Sequence, residues 1–102
     1  MLPSQQKNTD AVSLDLATFY VRGSAYGIDL LKIQEINKLL VLTPVPGAPA
    51  YVRGILNLRG RIVTVIDLGY KLGLSETRVN RKGRNIIVRS AGEHIGLLVE
   101  QI

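Results

Sequence analysis

The chain has 102 residues, which allows one small domain and leaves little room for a second complete one. With 46% hydrophobic and 21% charged residues, the chain does not have the composition of a disordered protein. The lack of cysteine excludes disulfides and thiolate metal sites. The net charge of +5 leaves three classes of partner open: nucleic acid, an acidic membrane surface or an acidic protein.

The first residues are polar and lack periodicity. We expect residues 1–11 to form a flexible tail in front of a single domain at residues 12–102. This start lacks the apolar core of a signal peptide, and no apolar run approaches the roughly 20 residues that span a bilayer. A cytoplasmic location is therefore expected.

The first half of the domain predicts a β-hairpin, a short helix and a rigid connector. Residues 14–21 and 26–28 are strand-like and flank the turn signal Arg22-Gly23-Ser24. Asp29 can cap a helix, and Leu30, Ile33 and Ile36 recur at helical spacing, which predicts a short amphipathic helix. Residues 39–43 are compatible with a strand, and the three prolines within 44–49 predict a connector that joins no ladder.

The second half predicts two more hairpins with a helical turn between them. Residues 55–58 and 62–66 flank Arg59-Gly60-Arg61, and residues 85–89 and 95–99 flank Ala91-Gly92. Residues 67–74 predict one helical turn ending at Gly73. Short runs of Ile, Leu and Val without a long helix predict a mainly β fold made of one or more small barrels.

No catalytic or metal-binding pattern is present in the sequence. His94 is the single histidine, and a zinc site needs three or four ligands, so we interpret it as a surface or half-buried strand residue. The eight acidic residues include no close pair, and no serine lies in a nucleophile elbow. Neither catalysis nor a metal site is predicted.

Several motifs, in this order and spacing over roughly 70 residues, resemble the CheW family. They are Tyr26-Gly27-Ile28-Asp29, Ile33-Gln34-Glu35-Ile36, the prolines within 44–49, Gly54-Ile55-Leu56-Asn57-Leu58-Arg59-Gly60 and Val65-Ile66-Asp67-Leu68. The resemblance implies an SH3-like pair of small β-barrel subdomains. It also implies a non-enzymatic adaptor without a cofactor, which binds the regulatory domain of a CheA-type histidine kinase and the cytoplasmic tip of a chemoreceptor.

The same resemblance implies which residues bind partners. Arg59 with Asn57 and Gly60 matches the hairpin tied to receptor and kinase coupling, and Ile33 and Glu35 match the segment near the receptor groove. The candidate partner-binding residues are Ile33, Glu35, Gly54, Asn57, Leu58, Arg59 and Gly60. From composition alone, Arg59 fits a solvated turn residue as well as it fits a binding hot spot. The resemblance favours the second interpretation.

The family continues beyond the position of Ile102, so the resemblance implies that the second subdomain is C-terminally incomplete here. Strands at residues 85–89 and 95–99 would then leave an open edge, which is a template for pairing. We therefore expect a homodimer through an exchanged or completed barrel, or pairing with a CheW-like partner domain.

A competing class is a small basic β-barrel that binds single-stranded nucleic acid. It is suggested by a pI near 9.9 and by basic residues without acidic neighbours: Arg78, Arg81, Lys82, Arg84 and Arg89. Such barrels add exposed aromatic rings on which bases stack. Here the aromatic residues are not interleaved with the basic run, which favours the adaptor.

Overall fold

The computed structural model describes residues 15–38 and 41–102 and confirms a mainly β fold. This part of the chain contains seven strands, one 3₁₀ turn and one short helix. Their bounds are β1 Leu16–Val21, β2 Ser24–Asp29, the 3₁₀ turn Leu30–Lys32, β3 Ile33–Lys38, β4 Val52–Leu58, β5 Arg61–Asp67, α1 Leu68–Lys71, β6 Arg84–Ser90 and β7 Glu93–Val99.

The strands form two sheets. Strands β1 and β2 make an antiparallel hairpin, and the other five have the spatial order β3-β6-β7-β5-β4. Every pairing in the larger sheet is antiparallel except β5 with β7, which is parallel. The hairpin is attached to the end of β7 through Tyr20, whose N–H donates to the Gln101 carbonyl at 2.8 Å and whose carbonyl accepts from the Glu100 N–H at 2.9 Å.

Both faces of the larger sheet are packed, because side chains alternate along each strand. Ile86 and Ile87 are neighbours on β6, and they belong to two different clusters. One cluster consists of Leu56, Val63, Val65, Ile87 and Leu98. The other consists of Phe19, Val21, Ile86 and Val99, which places the β1–β2 hairpin over the second face.

The three predicted hairpins are confirmed. Arg22-Gly23, Arg59-Gly60 and Ala91-Gly92 each form the two central residues of a turn, and φ is positive at all six positions. Positive φ at both central residues is typical of the type I′ turn, whose twist matches that of the strands, and glycine adopts it without steric cost. In this chain, a glycine at the second position of a two-residue break between strand-like runs therefore marked the turn.

The predicted amphipathic helix at Leu30, Ile33 and Ile36 is wrong. Asp29 does cap a turn, since its carboxylate accepts from the Leu31 N–H at 2.9 Å, but that turn is a 3₁₀ turn of three residues. Strand β3 then begins at Ile33 and pairs with β6. The exposed Leu31 and the alternating burial along β3 show that tertiary pairing overrode a helical spacing that rested on three residues.

The remaining predicted elements divide into tested and untested ones. The predicted helical turn at residues 67–74 is found as α1, capped by the Asp67 carboxylate. The proline segment lies outside every strand, as predicted. The strand considered at residues 39–43 is not found in its described part, residues 41–43, where Thr43 forms only an isolated bridge with Ile55. Some predictions lie outside the described residues: the tail at residues 1–11, residue 14 of the first predicted strand, and residues 39–40 of the predicted strand at residues 39–43.

Candidate partner-binding site

An ion pair joins the two edges of the larger sheet. Glu35 lies on β3 at one edge, and Arg59 lies in the turn that follows β4 at the other edge. The Arg59 guanidinium donates to the Glu35 carboxylate. Because residues from opposite edges are in contact, the sheet curls into a small barrel with Leu56, Val63 and Val65 inside.

The turn that carries Arg59 is stabilised by the side chain of Asn57. The Oδ1 atom of Asn57 accepts a hydrogen bond from the Gly60 N–H at 3.0 Å. Arg59 has a φ of 53° and Gly60 a φ of 83°, so the backbone direction at Arg59 is fixed by the turn. The Arg59 side chain remains 71% exposed although it is paired with Glu35, and it is therefore accessible to a partner.

A pocket of about 250 Å³ opens beside this ion pair, at the end of the barrel. We call it the mouth pocket. Its apolar floor is formed by Leu58, Val63 and Ile87. Its polar rim is formed by Gln34, Glu35, Arg59, Arg61 and His94. An apolar centre with a polar rim is the arrangement found at protein-binding hot spots.

Arg61 and His94 are in contact at the rim. The Nη1 atom of Arg61 lies 2.6 Å from His94 Nε2 and 3.4 Å from Nδ1. Since a guanidinium can only donate, the imidazole accepts through Nε2 and is neutral. Partial burial, followed by the charges of Arg61 and of Arg89 on the neighbouring strand, lowers the pKa of His94, which agrees with a neutral ring.

The structure brings five of the seven candidate residues together. Glu35 and the stretch from Asn57 to Gly60 lie at or next to the mouth pocket. Ile33 lies elsewhere, because its side chain packs against the cluster of Phe19 and Val21 on the other face of the sheet. Gly54 is buried in β4 and has no surface at which to contact a partner.

Sequence reasoning missed Arg61 as part of the site and interpreted His94 only as a strand residue. His94 is indeed half-buried in β7. The alternation along β7 puts His94 on the same face as Leu98, which is inside the barrel, and this signal was readable from the sequence. The parallel pairing of β7 with β5, which sets His94 beside Arg61, was not readable.

A buried carboxylate fixes the far end of β5. Asp67 is fully buried, and its oxygens accept from the backbone N–H of Thr77 at 2.9 and 3.1 Å, from the Tyr70 N–H at 3.1 Å and from Arg53 Nη1 at 3.0 Å. Burial acts to raise the pKa of Asp67, but hydrogen bonds from Thr77, Tyr70 and Arg53 outweigh it and leave the pKa lowered.

A second buried carboxylate follows β7. Glu100 accepts from the Arg78 backbone N–H and Nε, both at 3.1 Å, and from Arg78 Nη2 at 3.2 Å. The side-chain hydrogen bond from Arg78 lowers the pKa of Glu100, against the opposing effect of burial. Together, Asp67 and Glu100 hold the loop after α1 against the barrel.

These two carboxylates predict acid-sensitive folding. Their pKa values in the folded chain lie below the ordinary values of 3.8 for Asp67 and 4.5 for Glu100, so the unfolded chain binds protons first as pH falls. The stabilisation is complete above about pH 5 and is lost as pH falls from there through the lowered values. Urea unfolding at pH 7, 5, 4 and 3 should show the midpoint falling below pH 5, and falling less in Glu100→Gln. An unchanged midpoint at pH 3 would contradict this.

Two negative findings apply to the described residues alone. Neither the 3₁₀ turn nor α1 is long and apolar enough to cross a membrane. Within residues 15–38 and 41–102, no cluster of three His, Cys, Asp or Glu side chains could hold a metal ion.

Comparison with known proteins gives consistent matches. Three relatives are chemotaxis proteins CheW: that of Treponema pallidum is 34% identical and covers 85% of this chain and 54% of the relative. That of Helicobacter pylori is 33% identical and covers 97% and 59%, and that of Bacillus subtilis is 34% identical and covers 84% and 55%. The chain thus spans little more than half the length of these relatives.

A solved structure gives the same result at the level of the fold. The crystal structure of the scaffolding protein TtCheW from Thermoanaerobacter tengcongensis superposes with a TM-score of 0.83 at 32% identity, over 88% of this chain and 62% of that one. This supports the predicted SH3-like barrel. The model of the CheW-like domain matches residues 15–102. The chain therefore belongs to the CheW-like domain family.

Proposed function

We propose that this chain is a non-enzymatic adaptor of bacterial chemotaxis, which couples chemoreceptors to a CheA-type histidine kinase. The observation that carries the proposal is the exposed Arg59, held by a rigid turn and by Glu35 beside a pocket with an apolar floor, in a chain of the CheW-like family. Its partners are the regulatory domain of the kinase and the cytoplasmic tip of the receptor, and its location is the cytoplasm.

The residues at the mouth pocket are suited to binding rather than chemistry. Arg59 offers a planar fork of donors that matches carboxylates, and Leu58 offers apolar surface next to it. Asn57 and Gly60 contribute by shaping the turn. In this proposal Ile33 and Gly54 act indirectly, by supporting the sheet that carries Glu35 and Arg59.

The nucleic-acid alternative gains no support from the family match. The sequence-based prediction of a homodimer, or of pairing with a CheW-like partner domain, stays a prediction. The open edge expected at residues 85–89 and 95–99, on which that prediction rested, is not found in the described residues. Strands β6 and β7 lie inside the five-stranded sheet, and their apolar side chains Ile86, Ile87, Leu98 and Val99 are buried.

Arg59→Glu should abolish most of the coupling. It removes the donor fork and sets a new carboxylate beside Glu35, and a hot-spot arginine of this kind is worth about 2 kcal/mol or more, roughly 30-fold in affinity. The measurements are the affinity for the kinase regulatory domain and for the receptor fragment, together with receptor-dependent autophosphorylation of the kinase. A folded variant that couples like the parent would show that the proposal has the wrong surface.

Two controls separate coupling from folding. Arg81→Glu makes the same charge change at an exposed site outside the mouth pocket and should leave coupling intact. The exchange of Glu35→Arg with Arg59→Glu restores an ion pair across the barrel edges. We expect the exchanged chain to recover parental stability. It should remain defective in coupling, because the guanidinium then lies on β3 instead of in the turn after β4.

A further inference from the structure

The two arginines of the mouth pocket differ in how their charge is balanced. Arg59 is neutralised by Glu35. The Arg61 guanidinium contacts the neutral ring of His94, and it forms no ion pair within the described part of the chain. Glu35 is the one acidic residue that lines the mouth pocket, and it is paired with Arg59. The exposed Arg61 guanidinium is therefore available to bind an anion.

The contact with His94 restrains Arg61 without neutralising it. One nitrogen, Nη1, is engaged by the imidazole, and no other hydrogen bond of this guanidinium occurs among the described residues. A guanidinium has five donors, so most of them remain for a ligand. A side chain that is already restrained loses less conformational entropy when it binds.

The floor of the pocket is suited to binding a second, apolar group of the ligand. Leu58, Val63 and Ile87 form it, next to Arg61 on the rim. A volume of about 250 Å³ accommodates one or two side chains and is small for a cofactor, whose pockets are roughly 300–1,000 Å³. None of the residues that line this pocket is Phe, Tyr or Trp.

We propose that Arg61 binds a carboxylate of the partner protein while an adjacent apolar side chain of that partner occupies the floor of the mouth pocket. The inference rests on the proposed adaptor function and names the chemistry that its site recognises: an acidic residue next to an apolar one. In this arrangement His94 is a positioning residue, which orients the guanidinium, and Arg59 with Glu35 forms the neighbouring wall.

The test uses the purified regulatory domain of a CheA-type histidine kinase and a chemoreceptor cytoplasmic fragment from the same bacterium as probes. Arg61→Glu should weaken binding to at least one of them by about tenfold or more, because the new carboxylate at position 61 repels the carboxylate of the partner. Arg61→Lys keeps the charge without the fork and should give a smaller loss. Arg81→Glu is the charge-matched control and should change affinity by less than about twofold. Thermal melting checks that each variant is folded.

The outcomes distinguish the inference from the function on which it rests. If the parent binds neither probe, the adaptor function is wrong and the inference falls with it. If the parent binds and Arg59→Glu weakens binding while folded Arg61→Glu and Arg61→Lys both bind like the parent, the function stands and the inference alone is overturned.

The role of His94 has its own readout. His94→Gln keeps a hydrogen-bond acceptor and should retain most of the affinity, whereas His94→Phe removes the acceptor and should lose severalfold. In an Arg61→Ala background, the loss caused by His94→Phe should disappear, because the two side chains act through one contact. An equal loss with and without Arg61 would show that His94 does not act by positioning it.

Discussion

Replacing Asp67 with alanine is expected to lower the free energy of unfolding by about 3 kcal/mol or more, since it leaves one buried and two partly buried donors without their acceptor. Two of these donors are the backbone N–H groups of Thr77 and Tyr70, and the third is the Arg53 guanidinium. Thr77 is itself buried, so water cannot replace the lost carboxylate there. Small domains are stable by roughly 5–15 kcal/mol, so this is a large share of the total.

Two variants give the Asp67 experiment its controls. Asp67→Asn keeps one acceptor oxygen for Thr77 but loses the charge beside Arg53, and we expect an intermediate loss. Asp29→Ala removes a carboxylate that accepts one hydrogen bond at an exposed turn, which should cost about 1 kcal/mol. Urea unfolding at pH 7 measures all three. If Asp67→Ala is no less stable than Asp29→Ala, the buried network does not stabilise the fold.

Gly54→Ala should also destabilise the fold severely, by roughly 2–4 kcal/mol. Gly54 has a φ of 151°, which residues with a side chain rarely adopt, and a Cβ atom built there lies 2.7 Å from the Thr43 carbonyl oxygen. That carbonyl accepts from the Ile55 N–H at 2.8 Å, so the connector cannot move away without breaking the bridge to β4.

The control for Gly54 is Gly23→Ala. Gly23 has a φ of 82° and no atom within 4 Å of a built Cβ, so this variant isolates the backbone strain, which is about 1 kcal/mol. The difference between the two variants in urea unfolding is the cost of the close approach. Equal losses would show that the connector does not hold Gly54 in place.

The Gly54 result also bears on the candidate site. A loss of coupling in Gly54→Ala is expected to follow its loss of stability, since the residue is buried and away from the mouth pocket. Coupling should therefore recover when the variant is assayed well below its melting temperature. Arg59→Glu should show no such recovery. This contrast separates a supporting residue from one that contacts the partner.

Local chemistry was enough to read much of the fold from the sequence. The hairpins at Arg22-Gly23, Arg59-Gly60 and Ala91-Gly92 were predictable because two residues ending in glycine, placed between strand-like runs, favour a hairpin turn. The capped turn after Asp67 was predictable for the same kind of reason. The resemblance to the CheW family rested on such local motifs in a fixed order.

The error at Ile33 and Ile36 marks the limit of local patterns. Leu30 lies in the 3₁₀ turn, and Ile33 and Ile36 lie in β3, where Ile36 is exposed, so the three apolar residues do not form one face. Strand β6 lies some 50 positions further along the chain, and its pairing with β3 makes this segment a strand. No property of residues 30–38 alone contains that information.

The sequence by itself determined the mainly β class, the turns and the residues of the hairpin that carries Arg59. Only the tertiary structure decided what stands beside that hairpin. Glu35 meets Arg59 because the sheet closes edge to edge, and His94 meets Arg61 because β7 lies parallel to β5. Both contacts join residues far apart in the chain, 24 and 33 positions respectively, and they depend on strand order and curvature. Strand order follows from how the whole core packs, which no single segment specifies.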